Sequence, residues 1–331
     1  MPGTLSVDSS VELATADRGG FVESRHAGAA IVLTPDGDAA LALGDPEAVV
    51  LPRSAMKPFQ AIACATAGAA FEGERLAVSA ASHAGTDRHV ELVRSMLLDA
   101  GLTEDHLGCP PALPDDSSTR QEMIRDRAPM SRVRMTCSGK HAAMLAACAV
   151  NGWDTNSYLS PTHPLQQHIR EAVERLCGGA KIAATAVDGC GAPVHAVALS
   201  SLARGMQRIG TSSETSPFAL HRVSGALIRA VRENPWVVEG AGRPDTAAIE
   251  QFGVFSKFGA EGVQVMVAPN GTTVALKVLD GSRRAGSAVA LSLLAKTGAL
   301  PADAVSDFLA AHPLYAVRGG DDEVGRIRPT V

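Results

Sequence analysis

Ser54 and Lys57 stand three residues apart in "LPRSAMKPFQ" (51–60), with Pro58 directly behind the lysine. A hydroxyl and an amine at that spacing are the parts of an acyl-transfer site, provided the amine is neutral and can take the hydroxyl's proton. Keeping a lysine neutral near pH 7 is costly. From a free pKa of ~10.4 it takes roughly 4–5 kcal/mol of differential interaction, supplied by burial or by a neighbouring cation. Pro58 locates the pair: inside a helix its ring would clash with the carbonyl four residues back, whereas a first turn tolerates it. If "SAMKPFQAIACATAG" is a helix, Ser54 lies at its start on the face shared with Lys57. The helix N-terminus then turns free N–H groups toward the serine oxygen, as an oxyanion requires. The plain alternative is a capping serine beside a surface lysine.

Lysine is scarce here: six of the 30 basic residues, against 24 arginines. Guanidinium does not shed its proton, so an arginine-rich chain keeps lysine where a neutral amine is wanted. Lys257, in "FSKFGAEG" (255–262), would supply the like charge that depresses Lys57. "SAASHAG" (79–85) ends an apolar run with Ser82 and His83 before a glycine, as an exposed strand end or turn would; His83 is a candidate substrate contact. "TCSGKH" (136–141) places Cys137 and Lys140 three apart, and "DGCG" (188–191) places Asp188 and Cys190 two apart. Two thiolates and a carboxylate suit zinc, with a neutral lysine as an uncommon fourth ligand. Buried thiols, or a Cys137–Cys190 disulfide, are the alternatives. "GAGRPDT" (240–246) offers Arg243 as a carboxylate clamp, or simply a loop capping the helix "AAIEQF".

The elements that must position these groups are legible in part. "GAAIVLT" (28–34) and "DAALALG" (38–44) flank the turn "PDGD", and "GVQVMVA" (262–268) and "TVALKVL" (273–279) flank "PNG"; both read as β-hairpins. Between them, residues 88–101, 139–150, 164–176, 194–209 and 218–234 show helical spacing of apolar residues, and 284–298 adds a late helix. The expected fold is α/β (α+β): one domain spanning 1–331, with an antiparallel sheet built from both chain ends, flanking helices and a helical lobe inserted at roughly 84–235.

Composition narrows the function classes. With 46% hydrophobic and 20% charged residues the chain is an ordinary globular one. A net charge of −5, no basic run and 4% aromatic residues make a nucleic-acid partner unexpected. No segment reads as a signal peptide or a membrane span, so the expected location is cytoplasmic, with the six scattered cysteines reduced.

Taken together, "VESRHAG" (22–28), "RSAMKPFQ" (53–60), "ASHAG" (81–85), "CSGKHAAML" (137–145), "DGCGAP" (188–193), "GRPDT" (242–246) and "KFGAEGV" (257–263) resemble the asparaginase II family. These are the rhizobial-type L-asparaginases, related in fold to serine β-lactamases, penicillin-binding proteins and glutaminases. The resemblance implies hydrolysis of L-asparagine to aspartate and ammonia by two serine–lysine tandems: Ser54 with Lys57 as nucleophile and base, Ser82 with Lys257 as proton relay and substrate holder. It also implies a zinc on Cys137, Lys140, Asp188 and Cys190 that assists substrate binding, and a homodimer. The chain departs from that pattern in "MTCSGKH", which lacks the paired asparagines usual before the cysteine, and in "ASHAGTD", with alanine and threonine where asparagine and glutamate are common. Two other readings stand beside this one: a penicillin-recognising acyltransferase or β-lactamase using the same tandem, and a catalytically inactive zinc-binding protein on the same fold.

Overall fold

The computed structural model describes residues 3–331. Its strands are β1 (Val11–Arg18), β2 (Phe21–Leu33), β3 (Ala39–Leu43), β4 (Val49–Val50), β5 (Ala184–Val187), β6 (Pro193–Ala198), β7 (Phe255–Gly259), β8 (Val263–Val267), β9 (Thr273–Val278), β10 (Ala316–Gly319) and β11 (Asp322–Pro329). Its α-helices are α1 (Lys57–Thr66), α2 (Gly73–Ser79), α3 (Asp87–Asp99), α4 (Ser117–Arg125), α5 (Ser138–Asn151), α6 (Pro164–Leu176), α7 (Leu199–Gly210), α8 (Ala219–Glu233), α9 (Trp236–Glu239), α10 (Pro244–Phe252), α11 (Gly286–Lys296) and α12 (Ala302–Ala311).

The main sheet runs β10-β11-β1-β2-β9-β8-β7, with β3 also paired to β2. Its pairings are antiparallel and join strands from both ends of the chain, as the two hairpins suggested. In the second hairpin Asn270 Oδ1 accepts the Thr272 N–H at 3.0 Å, and Gly271 takes φ 93°, a conformation open to glycine at little cost. Strand residues alternate between two buried clusters. Ala29, Ile31 and Leu33 of β2 pack on the side of α7 and the larger helical mass, whereas Ala30 and Val32 pack with α11. With both faces covered, β8 and β9 read as nearly unbroken apolar runs.

Between residues 84 and 235 lie α3 to α8, but also β5 and β6, which join β4 in a separate three-stranded sheet. Here the structure differs from the expected helix at 194–209. Residues 193–198 form the central strand of that small sheet, and α7 starts only at Leu199. A fully buried strand shows no alternation, so "VHAVA" carries apolar residues at spacings that suit either element. Likewise the apolar run before Ser82 is not a strand but α2. Among the described residues, no helix is long and apolar enough to cross a membrane.

Candidate active site

Residues Arg53–Met56 make one 3₁₀ turn, closed by the Lys57 N–H bonding to the Ser54 carbonyl, and α1 continues from it. Pro58 falls in the first turn of α1, where its missing N–H costs nothing. In a 3₁₀ turn, side chains three apart eclipse, so Ser54 and Lys57 share one edge. Arg53 sits at φ 52°, a left-handed conformation that is unfavourable for a residue with a Cβ. Such strain is typical of functional sites.

Lys57 is buried, at 1% exposure, and its Nζ donates to Ala81 O at 2.7 Å, Ser82 Oγ at 2.8 Å and Thr136 O at 3.4 Å. The second lysine arrives from β7. Lys257 Nζ donates to the same Ser82 Oγ at 3.0 Å and to Phe258 O at 3.0 Å, and it too is 1% exposed. Two amines therefore bracket one hydroxyl. The Ser54 hydroxyl makes no hydrogen bond among the described residues, and Ser54 borders a cavity. Sequence reasoning paired Lys57 with Ser54; the hydrogen bonds of its amine go to Ser82 and to two backbone carbonyls.

The Lys257 amine is lowered to about 7, chiefly by burial, with the Lys57 charge adding to it and Asp245 opposing. Strand β7 reaches the Ser54 turn only because residue 259 is glycine. A Cβ there would sit 2.1 Å from the Pro52 carbonyl oxygen.

Behind Lys257 lies a buried polar assembly that sequence reasoning missed. Asp245, with no solvent exposure, accepts from Ser256 Oγ at 2.7 Å, Gln264 Nε2 at 2.9 Å and the Phe258 N–H at 2.8 Å. Its carboxylate thus ties down the residues on either side of Lys257. The Asp245 N–H in turn donates to Glu239 Oε2 at 3.1 Å, and the other Glu239 oxygen pairs with Arg283. Burial, reinforced by the Asp245 charge, pushes the Glu239 carboxyl above its ordinary pKa despite that partner. "GRPDT" held the signal, in an acid following a helix-starting proline.

The cysteine cluster assembles in part. Lys140 Nζ donates to Cys190 Sγ at 3.0 Å. The neighbouring Cys190 thiol, with the Lys57 and Lys140 charges, overcomes burial and holds the Cys137 thiol well below its usual pKa, whereas Cys190 is pushed up. Burial opposes the charge on Lys140, but the two sulfurs outweigh it and keep the amine protonated. Asp188 pairs with Arg53, whose Nε donates to Oδ1 at 2.7 Å. Burial works against its ionisation, yet Arg53 and Lys140 hold its carboxyl below the ordinary range. Among the described residues, no three His, Cys, Asp or Glu side chains gather closely enough to hold a metal. As arranged, Lys140 donates to a sulfur and one Asp188 oxygen is held by Arg53, so the donor set as it stands does not fit a four-coordinate zinc.

Neither His83 nor Arg243 hydrogen-bonds Ser54, Ser82, Lys57 or Lys257 among the described residues. His83 is fully buried; its Nδ1 accepts from the Gly85 N–H at 3.1 Å, which leaves Nε2–H to donate to Ser138 Oγ at 2.9 Å. Burial keeps that ring neutral. Arg243 donates to the Asp115 carbonyl at 3.0 Å. What does open onto Ser54 and Ser82 is a cavity of about 360 Å³, walled by Cys137, Asp188, Ala260 and two arginines, Arg53 and Arg283. The Ala260 N–H has no hydrogen-bond partner among the described residues.

A family model described as L-asparaginase II matches residues 14–329 of this chain. No curated protein matches it. Among solved structures, a β-lactamase from Mycobacterium bovis is similar at 15% identity, over 86% of this chain and 94% of that one, with a TM-score of 0.43. A probable glutaminase from Bacillus subtilis, complexed with 6-diazo-5-oxo-L-norleucine, is similar at 13% identity over 86% and 88% of the two chains, with a TM-score of 0.34.

Proposed function

The chain belongs to the L-asparaginase II family, and from that membership we propose an amidohydrolase that converts L-asparagine to aspartate and ammonia through an acyl-enzyme on Ser54. The observation that carries the reading is the meeting of Lys57 and Lys257 on Ser82 Oγ, in the wall of a cavity onto which Ser54 opens.

Lys57 passes a proton through Ser82 to Lys257, whose amine is poised near 7 to receive it. The neutral Lys57 amine takes the Ser54 proton as Oγ attacks the side-chain amide carbon. The carbonyl π electrons move to oxygen, where the N–H groups of Ser54 and Ala260 stabilise the charge. Lys57 returns the proton to the amide nitrogen, the C–N bond breaks and ammonia leaves. Water, deprotonated by the same amine, then displaces Ser54 and frees the carboxylate product.

Replacing Ser54 with alanine is expected to abolish ammonia release from asparagine with an unchanged unfolding transition. A variant that releases ammonia at the parental rate overturns the assignment. One observation favours a second reading, in which Ser82 is the nucleophile: it alone hydrogen-bonds both amines. A diazoketone analogue of asparagine, followed by peptide mass spectrometry, separates the two by which serine carries the label.

A further inference from the structure

The cavity contains two arginines, and they are not equivalent. Arg53 is engaged: Nε holds Asp188 at 2.7 Å, and Nη1 lies 4.0 Å from Glu261. Arg283 makes a single side-chain hydrogen bond among the described residues, from Nη2 to Glu239. A guanidinium has five N–H donors in a rigid fork, so most of the Arg283 fork is unused. Its acceptor is fixed, since Glu239 is 3% exposed and is also held by the Asp245 N–H. Its plane is fixed as well: the guanidinium carbon lies 3.7 Å from the centroid of the Phe258 ring, and Lys257 Nζ lies 4.1 Å from the same centroid. The Arg283 side chain is nonetheless 42% exposed and lines the cavity. A cation held on one edge by a buried carboxylate, packed on the residue next to Lys257 and open on its other edge, is built to receive a planar anion.

We propose that Arg283 anchors the α-carboxylate of the substrate, and so restricts the enzyme to ω-amides of free amino acids. The proposal rests on the amidohydrolase reading, since it supposes that an amide carbon lies at Ser54. In asparagine three bonds separate the amide carbon from the carboxylate carbon. That short span calls for an anchor in the same cavity as the serine, and Arg283 and Ser54 both line it. Arg283 is a specificity residue here, and the test therefore reads the ratio between two substrates.

The test compares asparagine with 3-aminopropanamide, the same amide without the carboxylate, on the parental enzyme and on Arg283→Ala. The parental enzyme is expected to prefer asparagine by about 10- to 100-fold in kcat/KM, the range of a charge-assisted bidentate contact. Arg283→Ala should lose that preference, mainly through the KM of asparagine, while any loss that comes from removing a charge beside Lys257 falls on both amides alike. Arg283→Lys, which keeps the charge without the fork, should fall between. Equal losses for both amides, or a preference that survives in Arg283→Ala, overturns the anchor. Calorimetric binding of both amides to Ser54→Ala, with and without Arg283→Ala, keeps the test independent of turnover. Asparagine should bind 10- to 100-fold more tightly only where Arg283 is present. That result without hydrolysis by the parental enzyme would retain the anchor and sink the amidohydrolase; equal binding of the two amides, or binding of neither, sinks the anchor.

Discussion

Lys257→Met is the sharpest probe of the electrostatics. The native amine titrates near 7, whereas the unfolded chain's titrates at the ordinary lysine value of 10.5. A folded pKa below the unfolded one means that the native state binds fewer protons across that window, so stability rises with pH between about 7 and 10.5. At about 1.4 kcal/mol per unit, burying this amine costs roughly 5 kcal/mol at low pH, and the cost vanishes above pH 10.5. Between pH 7 and pH 9 the wild type should gain about 2 kcal/mol relative to Lys257→Met. Urea denaturation of both proteins at pH 7, 8 and 9 measures this. Taking the difference of the two curves cancels every other titrating group that the substitution leaves alone. It also cancels the pH-independent consequences of substitution, such as the lost bonds to Ser82 and Phe258. Curves that run parallel within about 0.5 kcal/mol would show that Lys257 folds away fully charged, and the neutral-amine argument would fail.

Asp245→Asn removes the negative charge that holds the Lys257 pKa up. The ascending limb of the kcat/KM profile against pH should move to lower pH, and stability should drop by about 1–3 kcal/mol as charge-assisted bonds to Ser256, Gln264 and Phe258 weaken; a drop in stability with an unmoved limb would reduce Asp245 to a structural role. Prolonged chelation should leave the thermal transition within about 2 °C of its starting point, because Lys140 already balances the sulfur charge. A structural zinc contributes on the order of 10 kcal/mol, so unfolding that tracks zinc release would refute that reading.

How far the sequence foretold this arrangement depended on how local each signal was. Both hairpins carried turn chemistry between apolar runs, and Pro58 placed Ser54 ahead of α1 because a proline's steric demands are met within one turn. The lysine shortage directed attention to Lys57, Lys140 and Lys257, and all three are buried. Two kinds of feature were not local. β6 is buried within a small sheet, so its residues lack the alternation that marks a half-exposed strand. The assembly of Glu239, Asp245 and Arg283 joins α9, α10 and the loop after β9, and nothing in any one segment marks these residues as partners. Which serine Lys57 would touch was equally non-local: three-residue spacing brings Ser54 to the same edge, but the fold delivers Ser82 from the end of α2 to meet the amine.

The contact of Gly259 with the Pro52 carbonyl has a consequence for when activity can arise. The serine-bearing turn is synthesised early, and the strand that completes it emerges only after the whole helical region has left the ribosome. A nascent or truncated chain lacking residues 255–259 would hold Ser54 and Lys57 without Lys257, which bonds Ser82 only once β7 is in place. On the proposed chemistry, such a chain is expected to release no ammonia until the two parts of the polypeptide have closed on each other.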